Sequence, residues 1–368
     1  MMAPTALSET PESAAKQADA RPIRVMVVDD SLIVRTILSR VIDPEPDMEI
    51  VAKVSSGELA LSELARTSAD VVLLDLDMPG MGGLETLPRL LAARPRLPVL
   101  VVSSLTEAGA EHTLAALAMG AADTMLKPRS GQFDEEYRRA LVQRVRALAK
   151  LEPMPACEKV TPPVRSAPGR PHAPALIPSV IAVGASTGGI HALGQLLRHL
   201  PGGVSQPLVV VQHLPASFAK VFARQLQLAS DRETIVGEDG MQLMPGRIYV
   251  ASGASHLLVQ QHGDALVLGS STKPAPSGCT PSVDPLFESL ARTAGARTLA
   301  VVLSGMGRDG ALGAVDLVRA GGRILVQDQA SSAVWGMPRA IVEAGLAEAI
   351  LPPDQLGIRI AAFCGLGR

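Results

Sequence analysis

Eight prolines crowd the stretch from Leu151 to Pro178. Proline fixes φ and lacks an N–H, so this density supports neither helix nor ladder and favours extended, semi-stiff chain. The stretch divides 368 residues into a block of about 125 and another of about 190, each the size of one domain. The expected organisation is a disordered lead at 1–21, a first domain at 22–147, a linker at 148–178 and a second domain at 179–368. Hydrophobic residues at 47% and charged residues at 19% supply apolar material for two packed cores.

Both blocks alternate short apolar runs with amphipathic stretches. In the first, the strand candidates are Ile23–Val28, Met48–Val54, Val71–Leu74, Val99–Val102 and Ala122–Leu126. Near-continuous apolar strands separated by helices predict a doubly wound, five-stranded parallel α/β sheet. A final helix places Tyr137, Leu141, Val145 and Leu148 on one face, with arginines elsewhere that read as a solvated surface. In the second block, Val180–Val183, Leu208–Val211, Arg247–Val250, Leu266–Leu268, Leu299–Leu303 and Arg323–Gln327 predict another mostly parallel α/β sheet, with an antiparallel excursion near 247–268.

Composition removes several function classes. Lys+Arg at 34 against Asp+Glu at 36 gives a net charge of -2, and no basic recognition helix stands out, so nucleic-acid binding is not expected. Aromatics at 2% leave no stacking platform for single strands. Cys157, Cys279 and Cys364 are odd in number and lack C-x-x-C spacing, which fits a reducing compartment rather than a disulfide scaffold. No apolar run approaches the ~18 residues of a membrane helix, and the start of the chain lacks a signal-peptide core, so a cytoplasmic location is expected.

Chemistry gathers at the predicted strand ends. Asp29 and Asp30 follow the first strand and Asp75 the third. The carboxyl ends of parallel strands converge on one edge, where three carboxylates repel unless a cation joins them. Their oxygen ligands suit Mg²⁺. Ser103 and Lys127 end the next two strands and could bind a phosphoryl group there. The blander reading is that each acid caps a helix.

Together with the run Val27-Val28-Asp29-Asp30-Ser31, the loop Asp75-Leu76-Asp77-Met78-Pro79-Gly80, Gly82-Gly83, Gly120-Ala121 and Lys127-Pro128, this set resembles the receiver domain of two-component response regulators. The resemblance implies that Asp75 accepts a phosphoryl group from a histidine kinase. It implies Mg²⁺ on Asp30, Asp75 and the Asp77 carbonyl, with Asp29 acting through water. Ser103 and Lys127 would sense the phosphoryl oxygens. Thr124 stands where many receivers carry an aromatic switch residue.

In the second block, Gly184-Ala185-Ser186-Thr187-Gly188-Gly189 follows a strand and opens a helix, matching the G-x-S-x-G turn that exposes a nucleophile. His213 and Asp309 also follow strands, so all three project from one edge, as a Ser–His–Asp triad requires. Their order differs from the Ser…Asp…His of α/β-hydrolases. Each has a structural reading: Ser186 and Asp309 as helix caps, His213 as a satisfied core residue. A rival also stands. Gly305-Met306-Gly307-Arg308-Asp309-Gly310 is a literal G-x-G-x-x-G, with Asp328 about 20 residues on, the spacing of a dinucleotide site in an oxidoreductase.

Residues 179–364 resemble the catalytic domain of CheB-type protein-glutamate methylesterases. The matching motifs are the Ser186 turn, Val210-Val211-Gln212-His213-Leu214-Pro215, Pro281-Ser282-Val283-Asp284-Pro285-Leu286-Phe287, the Gly305–Gly310 loop and Gly336-Met337-Pro338. The resemblance implies hydrolysis of glutamate γ-methyl esters on chemoreceptors, with glutamine deamidation as a second activity. It makes Ser186 the nucleophile, His213 the base and Asp309 the orienting acid, with the Met306 loop donating to the oxyanion. No cofactor is implied for the ester chemistry. The implied partners are methylated receptors and a chemotaxis-type kinase, reached at receptor arrays without membrane insertion. An idle triad in a phospho-switched binding module is the remaining alternative. Leu214, Ser252 and Gln329 depart from the family's usual residues without touching the triad.

Overall fold

Val25 to Val28 and Val71 to Leu74 are buried at every position, the pattern of strands covered on both faces. They form the centre of a five-stranded parallel sheet in the computed structural model, which describes residues 21–104, 107–127, 135–149 and 176–366. Residues 1–20 of the lead, 150–175 of the linker, Pro128 and Cys157 lie outside the described residues.

The first domain runs β1 (Ile23–Val28), α1 (Leu32–Ile42), β2 (Met48–Val54), α2 (Gly57–Arg66), β3 (Val71–Leu74), α3 (Gly83–Ala93), β4 (Val99–Ser103), α4 (Glu107–Met119), β5 (Asp123–Leu126) and α5 (Glu135–Ala149). The sheet order is β2-β1-β3-β4-β5. All five expected strands are present. The helix starts have identifiable causes: Ser31 and Ser56 cap α1 and α2 by accepting from Val34 N and Leu59 N. The α5 arginines are not a merely solvated face. Arg138 and Arg146 pair with Glu45, Arg146 also with Asp47, and Arg144 with Asp123. Helical periodicity could not foresee this, because the acids lie on the distant β2 and β5 ends.

The second domain runs β6 (Val180–Ala185), α6 (Gly189–Arg198), β7 (Leu208–Gln212), α7 (Ala219–Ser230), β8 (Thr234–Val236), β9 (Ile248–Val250), β10 (His256–His262), β11 (Ala265–Ser271), α8 (Val283–Thr293), β12 (Thr298–Val302), α9 (Ala311–Arg319), β13 (Arg323–Gln327), α10 (Met337–Glu343), β14 (Ala349–Leu351) and α11 (Pro353–Phe363). Its main sheet is seven-stranded and ordered β14-β13-β12-β6-β7-β9-β8, with every pairing parallel. The expected antiparallel excursion needs correction. The strand at 248–250 pairs parallel with β7, and the antiparallel element is the separate hairpin β10–β11. The strands β8 and β14 are three residues each, too short for a periodic signal.

Two apolar layers hold this sheet. One packs α8 and α9 with the hairpin, burying Leu257, Val259, Leu286, Phe287 and Leu290. The other carries α6, α7 and α11, and it continues into the first domain. There α4 lies against α6 and α7, so Leu114, Leu117 and Ala121 share one buried cluster with Ile190, Leu193 and Phe222.

Phe287 is fully buried between sheet and hairpin. The Phe287→Ala substitution should lower stability by about 3–5 kcal/mol through lost transfer energy and a residual cavity. Chemical denaturation should show the second-domain transition moving to lower denaturant, and an unmoved transition would contradict this packing.

Candidate active site

Both sheets reverse their strand order at one point, and each reversal opens a crevice at the carboxyl edge. In the second domain the reversal lies between β6 and β12. Ser186 leaves β6, His213 leaves neighbouring β7, and Asp309 lies in the loop after β12. The structure brings the three together. Ser186 Oγ and His213 Nδ1 lie 3.0 Å apart, within hydrogen-bond distance, and His213 Nε2 donates to Asp309 Oδ2 at 2.7 Å. The ring is used in the opposite sense from the serine-protease arrangement, where Nε2 faces the serine.

The Ser186 turn is over-determined. Ser186 N donates to the Ser304 carbonyl, Gln212 Nε2 donates to the Ser186 carbonyl, and Ser304 Oγ donates to the Thr187 carbonyl. Gly188 has φ +77, and a Cβ there would meet Ala333 Cβ at 2.4 Å. A Cβ at Gly305 would lie 2.9 Å from Ser186 Cβ, so glycine lets the β12 loop approach the serine.

Asp309 is buried and does not cap α9, a place taken by Gly310. Its carboxylate instead accepts from Ser282 Oγ, Val283 N, Gly310 N and His213. Burial would raise its pKa, but His213 and Ser282 outweigh this and hold it well below the usual carboxylate range. Burial would likewise lower the His213 pKa, yet Asp309 and the adjacent Cys279 raise it to about 9. Burial, reinforced by the Asp309 charge, pushes the neighbouring Asp284 up to about 6. This charge also weakens the dinucleotide reading. The carboxylate takes the Gly310 N–H at the start of α9, the donor a pyrophosphate would need.

Ser282 and Gln212 were legible as motif letters without a role. Ser282 orients Asp309, and its own N–H donates to Nδ1 of the buried His256. Met306 follows the close approach of Gly305 and is 36% exposed.

In the first domain the strand order reverses between β1 and β3. One carboxylate oxygen from each of Asp29, Asp30 and Asp75 lies within 4.8 Å of the others. Lys127 Nζ reaches Asp75 Oδ2 at 2.6 Å and Asp29 Oδ2 at 3.1 Å. Burial raises the Asp75 pKa despite Lys127, and Asp75 raises that of Lys127 despite its burial. Ser103 Oγ is buried and has no hydrogen-bond partner among the described residues. Three carboxylates facing one ammonium, beside an orphaned hydroxyl, fit a hard cation and an oxyanion. The Asp77 side chain is not part of this cluster: it meets Ser104 Oγ at 3.0 Å and His112 Nδ1 at 3.4 Å, while its N–H donates to Asp75.

The serine edge faces the interface between the domains. Thr187 Oγ1 donates to Asp123 Oδ2 at 2.7 Å, His191 Nδ1 donates to the Ala118 carbonyl at 2.9 Å, and Arg224 lies 4.0 Å from Glu111. Leu117, Asp123 and Thr124 of the first domain close a small cleft onto Ser186, His213 and Leu214. Sequence reading assigned no role to Asp123 or Thr187.

Comparison with known proteins agrees with this division. The family described as CheB methylesterase matches residues 181–360, and the response regulator receiver domain matches residues 25–135. A protein-glutamate methylesterase/protein-glutamine glutaminase of Azospirillum brasilense is 39% identical, covering 94% of this chain and 94% of its own length. A second so named, from Caulobacter vibrioides, is 44% identical over 92% of this chain and 98% of its own. The crystal structure of the Thermotoga maritima CheB methylesterase catalytic domain is 30% identical, covering 51% of this chain and 99% of that one, with a TM-score of 0.49. Identity at this level over nearly the whole length of both relatives shows that this chain belongs to the protein-glutamate methylesterase/protein-glutamine glutaminase family, with a receiver domain ahead of the methylesterase domain.

Proposed function

We propose that this chain hydrolyses glutamate γ-methyl esters on chemoreceptors, deamidates receptor glutamines, and is regulated by phosphorylation of its receiver domain. The observation that carries the chemistry is the unbroken Ser186–His213–Asp309 hydrogen-bond chain at one sheet edge. Ser186 Oγ attacks the γ-carbonyl while His213 Nδ1 takes its proton. Asp309 holds the Nε2–H tautomer and stabilises the imidazolium. The imidazolium then protonates the departing methoxide, so methanol leaves, and a water activated by the same ring hydrolyses the acyl-enzyme. Ser186 N is committed to Ser304, so the Met306 N–H is assigned to the oxyanion. A glutamine amide follows the same course and releases ammonia.

In the receiver, Asp75 is the phosphoryl acceptor. Asp29, Asp30 and Asp75, with the Asp77 carbonyl, would hold Mg²⁺, which supplies charge neutralisation when bound. Ser103 and Lys127 would take the phosphoryl oxygens. The Asp123–Thr187 bond and the closed cleft support a receiver that obstructs the serine edge until phosphorylation loosens it. The phosphodonor would be a chemotaxis-type histidine kinase. No helix among the described residues is long and apolar enough to cross a membrane, and the proposed setting is the cytoplasmic face of receptor arrays.

Methanol release from methylated receptor membranes, with Mg²⁺ and acetyl phosphate, tests both halves. Release should fall to background in Ser186→Ala, and Asp75→Asn should lose the stimulation while keeping the basal rate. Release that persists in Ser186→Ala would remove the triad. Asp309→Asn should lower kcat by roughly 10⁴-fold, as loss of the orienting acid does elsewhere.

The base acts only when neutral, and its pKa is raised to about 9. The pH profile of kcat/KM should therefore climb through neutrality toward a midpoint near 9. The sign for stability is opposite. The raised value makes the His213–Asp309 contribution complete below the unfolded imidazole pKa of about 6.5. That contribution is lost as pH rises through about 9. An activity profile already flat above pH 7 would contradict this charge pairing.

Removing the part-buried Asp123–Thr187 bond should favour the open arrangement. A hydrogen bond to a charged group contributes about 1.5–3 kcal/mol, so Asp123→Ala should raise unphosphorylated turnover by roughly ten- to a hundredfold. An unchanged basal rate would deny this contact a restraining role.

A further inference from the structure

Cys279 is unused by this mechanism, yet it stands in the same cluster as two of its members. One ligand atom from each of His213, Cys279 and Asp309 lies within 4.8 Å of the other two. Cys279 is half-buried on the segment before α8, and its Sγ lies 3.8 Å from the Ser277 carbonyl. A thiolate, an imidazole and a carboxylate are the three ligand types of zinc. Zinc–sulfur bonds of about 2.3 Å and zinc–nitrogen bonds of about 2.0–2.1 Å set tetrahedral donors roughly 3.5 Å apart. Side-chain movements on the order of 1 Å would therefore form a three-ligand site with one open position.

We propose that a soft divalent ion of the zinc type binds His213, Cys279 and Asp309 and reversibly switches off the esterase. The inhibitory half rests on the function proposed above, whereas the binding half does not. Ser186 occupies Nδ1 and Asp309 lies on the Nε2 side of the ring, so an ion shared with Asp309 engages Nε2. A neutral imidazole has one free lone pair. With that pair on the ion, the ring proton sits on Nδ1 and points at Ser186 Oγ. The ring then donates where the reaction needs an acceptor. Binding releases the Cys279 thiol proton and the Nε2 proton of the imidazolium to solvent, so occupancy increases with pH. Mg²⁺ is hard and selects oxygen ligands, so it belongs to the Asp29–Asp30–Asp75 cluster rather than to this one.

The test titrates the full chain with Co²⁺ in saturating Mg²⁺ and follows the thiolate-to-cobalt absorption band. One equivalent of thiolate-bound Co²⁺, displaceable by Zn²⁺, is expected. The band should survive Ser186→Ala and Cys364→Ser, and vanish in both Cys279→Ser and Cys279→Ala. Zn²⁺ inhibition of methanol release, read against each variant's own metal-free rate, should weaken at least about tenfold without Cys279, the loss that even an outer partner's removal causes. No band in the unaltered chain, or a band persisting without Cys279, overturns the site. Full zinc occupancy with undiminished methanol release overturns the inhibition. Absence of release before any metal is added overturns the esterase reading alone, and the spectral titration still decides the site.

Discussion

Parallel pairing is the constraint on which the rest of this molecule depends. Strands that all run one way deliver their outgoing loops to one edge, and a reversal of strand order parts two of those loops into a crevice. Here this happens twice, between β1 and β3 and between β6 and β12. Asp29, Asp30 and Asp75 converge at the first reversal, and Ser186 and Asp309 at the second, with His213 one strand away. The two sites hold different sets of side chains, yet the same backbone geometry places both.

What separates the two crevices is how their charge is neutralised. In the first, three carboxylates face one ammonium, which leaves net negative charge for a cation to take up. In the second, the Asp309 carboxylate is enclosed by donors from Ser282, Val283, Gly310 and His213. A buried carboxylate survives in low dielectric only when it is hydrogen-bonded this completely. The same donors fix its position, so the His213 ring is held in one orientation. Asp284, next to it and supplied chiefly by the Gly313 N–H, is the acid whose pKa rises instead.

The first domain packs directly against the edge that carries Ser186. Asp77 reaches Ser104 and His112 near the start of α4, while the far end of α4 lies against α6 and α7. The Asp123 carboxylate, at the start of β5, holds Thr187, the residue after Ser186. Asp75, Asp77 and α4 thus form one line of contacts that ends on α6 and α7.

Local pattern determined a great deal. Apolar runs such as Val71–Leu74 admit only buried strands, and the glycines around Ser186 admit only a tight strand-to-helix turn. From these the two α/β sheets, the acidic cluster and the serine, histidine and aspartate at strand ends were all legible. Three things were not. The sense in which the His213 ring is used depends on rotation about side-chain bonds, which no spacing encodes. The α5 arginines and Asp123 acquired partners far away in sequence, because ion pairs and hydrogen bonds form between whatever the fold brings together. Cys279 read as an isolated thiol until the segment before α8 carried it to the triad. Periodicity reports which face of an element is buried, whereas contacts between elements depend on how those faces dock, and packing against α6 and α7 settled that here.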